Sequence, residues 1–335
     1  MKLRTVYGPH ISRCFGLSLG IDPLLIPKKC PYDCIYCPLS VKTINKTYSP
    51  KIIVTKDKIL SDLRYFINSN RDVFENIEHI IVWGMGDPLL NYHTPLIVEE
   101  IKKLLMNNDS SAKIVLRTTG YLIDEKWVYP VLENTDYIII PIDAAGEYRQ
   151  IINNPLEKLK LKQLVQKIKS IPKVLRNKFF IEINLLRYNG LRNSDPKILD
   201  EILSYVSMSG VSKILLKTIN RPSWNTRIKP VKGRVFEKAR EYLENNGYKV
   251  FACIEKPLKK KIIIKSDLEE AILNHLLRKP LNNEEIQRIY GLRGIITAEK
   301  LVEANLVEKI NWLNKIYFRA RHSLDLYNYL LETGG

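Results

Sequence analysis

The sequence has few cysteines and no long hydrophobic run. Five cysteines occur in 335 residues and three of them lie together, which is unlike the spacing of a disulfide framework. The apolar runs, such as residues 137–142 and 262–264, have the length of strands and are too short to span a membrane. Residues 1–5 lack the apolar segment of a signal peptide. These absences predict a cytoplasmic protein that does not enter the membrane.

Acidic residues are scarce relative to basic ones. The chain has 53 Lys and Arg against 36 Asp and Glu, a formal net charge of +17. This excess favours a polyanionic partner such as RNA or DNA. The basic residues are spread along the chain, so a generally lysine-rich surface without a specific partner stays open. With 45% hydrophobic residues the chain is neither disordered nor fibrous, and its length allows one large and one small domain.

Short β-branched runs alternate with helix-like stretches over most of the chain. This alternation predicts βα units, an α/β fold, and a parallel sheet or barrel whose strands all end on one side. Enzymes of this architecture carry their chemistry in the loops at that side. The predicted strands are residues 79–83, 113–118, 137–142, 179–186, 213–217 and 249–253, and the predicted helices are 56–68, 95–106, 124–133, 156–170, 196–207 and 232–246.

The character of the sequence changes near residue 256. A proline and a run of lysines predict a basic linker at 256–261, between a first domain at 1–255 and a second at 262–335. The second domain shows three helix-like stretches, at 267–278, 283–290 and 297–304, followed by strand-like runs at 306–310 and 315–319. Three short helices and a hairpin resemble a winged helix, a module that binds nucleic acid or docks proteins.

The most informative motif is the cysteine loop, residues 30–37, which places Cys30, Cys34 and Cys37 at C-x3-C-x2-C. Three thiolates can hold three irons of a 4Fe-4S cluster and leave the fourth iron open to a ligand. A structural zinc site is the alternative, because Cys34 and Cys37 also form a zinc-like pair that would need distant ligands.

A glycine loop, residues 84–88 with the sequence G-M-G-D-P, follows the first predicted parallel strand. Gly84 and Gly86 allow the backbone to approach a ligand closely, and Pro88 stiffens the turn. Such a loop at a strand end can aim backbone groups at the amino group of an amino acid. The motif alone is typical of any tight turn, and its place one βα unit after the cysteine loop favours the functional interpretation.

The cysteine loop with Tyr36, followed by the glycine loop, resembles the radical S-adenosylmethionine (SAM) superfamily. Residues 7–23 also resemble the opening signature Y-G-P-x-x-S-R-x-x-G-x-S-L-G-[VI]-D-P of one branch, the predicted Fe-S oxidoreductases grouped with wyosine synthetase-like proteins. Weaker similarities are R-T-T-G at 117–120, D-A at 143–144 with N-N-P at 153–155, and K-T-I-N-R-P at 217–222. The resemblance implies an incomplete (β/α) barrel with a small C-terminal winged-helix-like domain.

The resemblance also implies the cofactors and the residues that bind them. A 4Fe-4S cluster would be held by Cys30, Cys34 and Cys37, and SAM would chelate its open iron. The remaining candidates are Arg13 for an anionic group of the substrate and, for SAM, Tyr36, Gly84, Gly86, Asp87, Thr119 and Asp143. Asp87 stands where the family has glutamate. Cys14 and Cys253 are expected to be unpaired thiols, too few for an ordinary second cluster.

The implied reaction is reductive cleavage of SAM to a 5′-deoxyadenosyl radical, with electrons from a low-potential donor of the ferredoxin or flavodoxin type. Net charge, the C-terminal domain and the relation to wyosine synthetases favour RNA, and tRNA in particular, as the substrate. Two alternatives stay open: the same chemistry on a protein or peptide, and a non-enzymatic metal-binding regulator that binds DNA.

Overall fold

The computed structural model describes residues 1–254, 262–265 and 267–333. The predicted linker at 256–261 therefore lies outside the described residues. No helix among the described residues has the length and apolar character needed to cross a bilayer.

The described chain forms a large curled sheet and a small one. The large sheet has the order β1-β2-β3-β4-β5-β6-β8-β10, with β7 and β9 added beside β6, and the small sheet has the order β11-β13-β12. From β2 to β10 every neighbouring pair along the main path is parallel, and only β1 runs antiparallel to its neighbour. The strands are β1 Val6–Ser12, β2 Gly16–Ile21, β3 His79–Val82, β4 Lys113–Arg117, β5 Tyr137–Pro141, β6 Phe179–Tyr188, β7 Leu191–Arg192, β8 Lys213–Thr218, β9 Lys229–Pro230, β10 Lys249–Ala252, β11 Leu281–Asn282, β12 Val307–Trp312 and β13 Lys315–Ala320.

Helices connect the parallel strands. They are α1 Lys56–Ser69, α2 Arg71–Phe74, α3 Thr94–Asn107, α4 Tyr129–Asn134, α5 Gly146–Ile152, α6 Leu161–Ser170, α7 Lys173–Arg176, α8 Pro196–Ser209, α9 Arg234–Asn245, α10 Leu268–Leu276, α11 Asn283–Glu303 and α12 Leu324–Thr333. Sequence features set several of their ends. Thr55 caps α1 by accepting the amide of Lys58, and Gly210 ends α8 in the left-handed region with φ of 70°.

The six predicted parallel strands are confirmed to within two residues at each end, as are the α1, α3, α8 and α9 helices. Two predicted helices are shorter than expected. The stretch at 124–133 becomes a 3-10 turn Lys126–Val128 and the helix α4, and the stretch at 156–170 is helical only as α6. The prediction of an α/β fold with an incomplete (β/α) barrel is confirmed by this topology.

The expectation of two unpaired thiols at Cys14 and Cys253 is wrong, because the structure joins them in a disulfide. Cys14 lies in the turn between β1 and β2, at one edge of the sheet, and Cys253 follows β10 at the other edge. The curl of the sheet brings these edges together, with the two Cα atoms 4.6 Å apart over a sequence separation of 239 residues. A sequence gives no sign of such a distant pairing.

Two of the three apolar clusters of the described chain cover the two faces of the sheet. The larger one packs the helices against the outer face. The other, which we call the lower apolar cluster, fills the part of the barrel interior that lies away from the ends of the parallel strands. It contains Ile81, Val115, Ile139, Phe180, Leu215 and Cys253. Alternate residues of a strand point to opposite faces of the sheet. The residue two positions after a cluster member on the same strand therefore also points into the barrel.

The described C-terminal part contains α10, α11 and the hairpin β12–β13 that was expected there. The two helices expected at 283–290 and 297–304 form the single element α11, which bends at Gly291, where φ is 70° and ψ is −171°. The winged-helix interpretation and the division into two domains stay predictions.

Candidate active site

The predicted functional loops meet at the mouth of the barrel, which we define as the end where the parallel strands terminate. The cysteine loop follows β2, and the glycine loop follows β3. Thr119 follows β4, and Asp143 follows β5. This arrangement agrees with the expectation that the chemistry of a parallel barrel lies in the loops after its strands.

The glycine loop is paired with the residue immediately before the cysteine loop. The amide of Lys29 donates to the carbonyl of Met85 at 2.8 Å, and the amide of Asp87 donates to the carbonyl of Lys29 at 3.0 Å. Gly86 makes this pairing possible, since a Cβ there would lie 1.6 Å from the Lys29 carbonyl oxygen. Gly86 also has φ of +132°. The backbone of Cys30 is therefore held directly beside the glycine loop.

The cysteine loop is fixed at several further points. The amides of Asp33 and Ile35 donate to the carbonyls of Asn153 and Ile152, at 3.1 and 3.0 Å. On the other side, the indole Nε1 of Trp224 donates to the carbonyl of Cys34 at 3.2 Å. These bonds come from segments after β5 and β8, so the geometry of the loop depends on distant parts of the barrel.

The three thiols of the loop are half-buried and form no disulfide. Burial raises the pKa of the Cys34 thiol to about 12 and raises that of Cys30 well above its usual value. Lys28 lies close to them, with Nζ at 3.6 Å from the Asp33 carboxylate. Burial opposes its charge, but Cys37, Cys30 and Asp33 outweigh this effect and raise the pKa of Lys28. The loop therefore has a buried cation that favours thiolates.

Asp143 connects the cysteine loop to the barrel. Its Oδ2 accepts the hydroxyl of Tyr36 and the amide Nδ2 of Asn153, the latter at 2.9 Å, and its Oδ1 accepts the amide of Asn184 at 2.7 Å. The same Asn153 Nδ2 lies 3.6 Å from the Sγ of Cys34. Burial, followed by the charge of Glu182, raises the pKa of Asp143 to about 6. Asp143 and Tyr36 thus orient the cysteine loop through a shared hydrogen bond.

Asp87 connects the glycine loop to the loop after β4 through hydrogen bonds. Its carboxylate accepts the hydroxyl of Thr118 at 2.7 Å, the amide of Thr119 at 3.0 Å, and also the Thr119 hydroxyl. It also accepts the amide of Leu89 at 3.1 Å. These hydrogen bonds hold the glycine loop against the loop that follows β4.

A charged layer lies on the inner face above the lower apolar cluster. We define it as Arg117, Glu182 and Lys217, each two residues beyond a member of that cluster, and Trp83 lies beside Arg117. Glu182 pairs with Arg117 and, at 2.8 Å, with Lys217. Burial and Arg117 lower the pKa of Lys217 to about 8. Arg13 reaches the same cavity from the β1–β2 turn, and its guanidinium donates to the carbonyl of Thr218.

Sequence reasoning did not identify Lys28, Asn153 or the charged layer as parts of the site. Some signals were present. Glu182 is a lone carboxylate inside an apolar strand, and such a residue is buried only when it is paired. Asn153 belongs to the quoted N-N-P segment. Lys28, two residues before Cys30, has no distinguishing pattern in a lysine-rich chain.

No three His, Cys, Asp or Glu side chains of the described chain converge on a point where one metal ion could be held. In a zinc site all ligands bind the same atom at about 2.0–2.3 Å, whereas in a 4Fe-4S cluster each thiolate binds a different iron.

Comparisons with known proteins agree with this arrangement. The family model of the radical SAM superfamily matches residues 24–206, which include the cysteine loop, the glycine loop and strands β3 to β6. Among solved structures, a radical SAM methyltransferase from Sphaerobacter thermophilus superimposes with a TM-score of 0.54 at 14% identity, over 74% of this chain and 69% of that one.

Curated relatives extend the similarity beyond the barrel. The UPF0026 protein MJ1312 of Methanocaldococcus jannaschii is 25% identical over 93% of this chain and 94% of its own length. A protein named GTPase Obg from Brachyspira hyodysenteriae is 28% identical over 92% of this chain, which spans only 44% of that protein. A probable dual-specificity RNA methyltransferase RlmN from a Thermotoga species is 24% identical over 70% of this chain and 62% of its own length.

Proposed function

We propose that this chain, which belongs to the radical SAM superfamily, reductively cleaves SAM in order to modify RNA, with tRNA as the favoured substrate. Membership makes it a radical SAM enzyme whose cofactors are a 4Fe-4S cluster and SAM. The observation that carries the proposal is the pairing of the cysteine loop with the glycine loop, through Lys29, at the mouth of the barrel.

The residues of the mouth fit these cofactors. The cluster would be held by Cys30, Cys34 and Cys37, with Lys28 favouring their thiolate forms. For SAM, the candidates are Gly84, Gly86 and Asp87 of the glycine loop, which lies beside Cys30. The Oδ1 of Asn184 is buried and has no hydrogen-bond partner among the described residues, so it can accept a hydroxyl of a bound nucleoside.

When bound, the cluster would supply one electron to SAM, and breaking the S–C5′ bond would leave methionine and a 5′-deoxyadenosyl radical. The protein orients the reactants and keeps water out of the site. Asp143, Asn153 and Tyr36 hold the cysteine loop, and Asp87 holds the glycine loop against the threonines after β4. The lower apolar cluster closes the barrel beneath the charged layer.

RNA as the substrate rests on charge and on relatives. The net charge of +17 favours a polyanion. Relatives named as RNA methyltransferases match 58% to 70% of this chain. Both observations favour RNA as a class, and tRNA is the first candidate to test.

The test is anaerobic reconstitution with iron, sulfide, dithionite and SAM, followed by mass spectrometry for 5′-deoxyadenosine. We expect 5′-deoxyadenosine to form, and we expect its rate to rise when total tRNA is added. Digestion of the tRNA to nucleosides should then reveal a new mass. If SAM is cleaved but tRNA has no effect on the rate, the radical chemistry stands and the RNA proposal is wrong.

A further inference from the structure

The mouth of the barrel is strongly basic on its inner side. A cavity of about 150 Å³ lies above the lower apolar cluster, next to Pro38 of the segment that follows the cysteine loop. Its described lining contains one acidic side chain, Glu182, and five basic ones: Arg13, Arg117, Lys217, Arg221 and Lys279. An imbalance of this kind in a partly enclosed space concentrates positive potential where a ligand would enter.

Two carboxylates contact members of this basic group. Glu182 pairs with Arg117 and Lys217, and Glu285 accepts two hydrogen bonds from the guanidinium of Arg221, at 2.9 and 2.6 Å. Lys279 differs from these three residues, since no carboxylate of the described chain lies within 4.0 Å of it. It is half-buried, and burial together with Arg221 lowers its pKa well below the usual value. Glu285 acts on Lys279 only from beyond 4.0 Å, and a half-buried lysine without a direct ion pair is costly unless a ligand supplies a partner.

Lys279 is placed at the mouth by the C-terminal part of the chain. It follows α10, and its neighbour Arg278 is fully buried against the barrel. The guanidinium of Arg278 donates to the carboxylate of Asp22 at 3.0 Å and to the carbonyl of Arg4 at 2.8 Å. These bonds fix the backbone next to Lys279, so the fold determines the position of this lysine at the cavity.

The cavity is continuous with a larger cleft. Arg13, Asn220 and Arg221 line both spaces. The cleft has a volume of about 640 Å³ and lies between the barrel and the C-terminal part, which contributes Arg288, Trp312 and Tyr317 among others. A substrate lying in this cleft would reach the cavity past Arg13 and Arg221.

We propose that Lys279, Arg221 and Arg13 form a subsite that binds a phosphate group of the substrate at the mouth of the barrel. This inference rests on the proposed function and specifies which group of the RNA the protein holds. A phosphate offers several acceptor oxygens to basic groups that approach from different sides, and two arginines with one lysine provide directed donors. The bound phosphate would also give Lys279 a direct ion pair.

The experiment compares the reconstituted wild-type protein with Lys279→Met and Lys279→Arg by anaerobic equilibrium dialysis. The probes are radiolabelled inorganic phosphate, a labelled single-stranded RNA 12-mer, and SAM. Lys178→Met is the matched control. Lys178 is also half-buried, but it lies before β6 at the opposite end of the barrel and donates to the carbonyls of Leu132 and Glu133.

We expect Lys279→Met to raise the Kd for phosphate and for RNA about tenfold, the loss typical of one charge-assisted hydrogen bond. Lys279→Arg should retain most of the affinity, and Lys178→Met should retain all of it. Affinity for SAM should not change in any variant. If phosphate binding weakens in Lys279→Met while the RNA shows no binding even to the wild type, the subsite stands and the RNA proposal fails.

Two results would overturn the subsite. One is that Lys279→Met binds phosphate and RNA as the wild type does. The other is that Lys279→Met loses affinity for SAM instead, which would assign Lys279 to the carboxylate of the cofactor. Thermal unfolding of each variant checks that a loss of affinity does not reflect a loss of folded protein.

Discussion

At the scale of single residues, most polar side chains at the mouth form hydrogen bonds to other protein groups. Asp87, Thr119 and Asp143 were expected to contact SAM, and the structure shows their polar atoms engaged in hydrogen bonds that hold the loops together. Their contact with SAM stays a prediction. The three cysteines form no disulfide and are half-buried at the mouth, where the Sγ atoms of Cys30 and Cys34 accept hydrogen bonds from the Tyr32 amide and the Asn153 Nδ2.

Replacing Cys34 with alanine should remove the cluster. A 4Fe-4S cluster that keeps only two protein ligands is not held, so iron should fall from about four atoms per chain to nearly none, and 5′-deoxyadenosine should no longer form. Iron analysis and mass spectrometry of the reconstituted protein measure both. Cys253→Ala is the control, because Cys253 lies outside the loop, and it should retain its iron. Full iron content in Cys34→Ala would contradict the ligand assignment.

Replacing Gly86 with alanine should also reduce cluster loading, although Gly86 has no ligand atom. The new Cβ would collide with the Lys29 carbonyl and separate the glycine loop from Cys30. Gly190→Ala is a matched control, because Gly190 also has positive φ, at 82°, but a Cβ there meets nothing within 4 Å. We expect severalfold less iron in Gly86→Ala and normal iron in Gly190→Ala. Equal loading would show that the contact with Lys29 is dispensable.

At the scale of elements, regular strands were easy to predict and the first hairpin was not. Runs such as 137–142 are apolar and β-branched, which is typical of strands buried on both faces. Strands β1 and β2 contain Gly8, Pro9 and Gly20, which are typical of turns. Gly20 is required there, since a Cβ would lie 2.1 Å from the ring of Tyr7 on the paired strand. A glycine that is required for packing inside a strand therefore has the same sequence pattern as a glycine in a turn.

The disulfide that joins the edges of the sheet gives a direct chemical prediction. If protein purified without reductant is unfolded in guanidinium and treated with iodoacetamide, three cysteines should be labelled, and all five after reduction. Because the bond closes a loop of more than 200 residues, the oxidised apoprotein should be more stable than Cys14→Ser by about 2 to 5 kcal/mol. Labelling of five thiols without reductant would contradict the pairing.

At the scale of the whole molecule, the C-terminal part is packed onto the barrel. Arg4 pairs with Asp62 of α1 and with Glu270 of α10, and Arg278 pairs with Asp22. The hydroxyl of Tyr317 donates to the carbonyl of Asn220 at 3.1 Å. These contacts involve buried groups, so the C-terminal part shapes the cleft as well as offering a surface of its own.

The pair formed by Arg221 and Glu285 should make this packing sensitive to acid. Burial disfavours the Glu285 carboxylate, but Arg221 outweighs burial and lowers its pKa from 4.5 to about 2. Since the folded-state pKa lies below the unfolded one, the stabilisation is present above about pH 5 and disappears as the pH falls toward 2. Glu285→Gln should therefore lower the free energy of unfolding by on the order of 2 kcal/mol at pH 7 and have little effect near pH 2.

Glu284→Gln is the control for this prediction. Glu284 is the neighbouring residue, and its pair with Lys315 is exposed, with a separation of 3.8 Å. Exposed pairs contribute little, so this variant should match the wild type to within about 0.5 kcal/mol at every pH. Denaturant unfolding between pH 2 and pH 7 measures all three proteins. A loss in Glu285→Gln that does not depend on pH would show that the pair is not the cause.

Binding of RNA by a protein of net charge +17 should depend steeply on salt. Each phosphate contact releases counterions, with a slope of about −0.7 per contact for single strands. The single phosphate of the proposed subsite alone would lower the affinity about threefold between 50 and 200 mM salt, and contact with three phosphates would lower it roughly twentyfold. Fluorescence anisotropy with a labelled tRNA at several salt concentrations measures the slope. A slope near zero would argue against a phosphate-binding surface and favour a protein or peptide substrate.

The sequence by itself determined the parts of this protein that depend on local pattern. The cysteine spacing indicates the cluster, and the alternation of β-branched and helical segments predicts the parallel strands and the side of the sheet where their loops meet. The resemblance to a family rests on the same short motifs. Each of these features is set by a short stretch of sequence, in which the covalent chain keeps the residues close together.

Only the tertiary structure decided which distant groups meet. The curl of the sheet joins Cys14 to Cys253, Asp143 reaches Tyr36 and Asn184, and α10 carries Lys279 into the mouth of the barrel. The physical reason is that these contacts depend on the accumulated twist of the strands and on the packing of helices against them. No short stretch of sequence encodes either quantity, so the basic lining of the cavity forms only when the chain is folded.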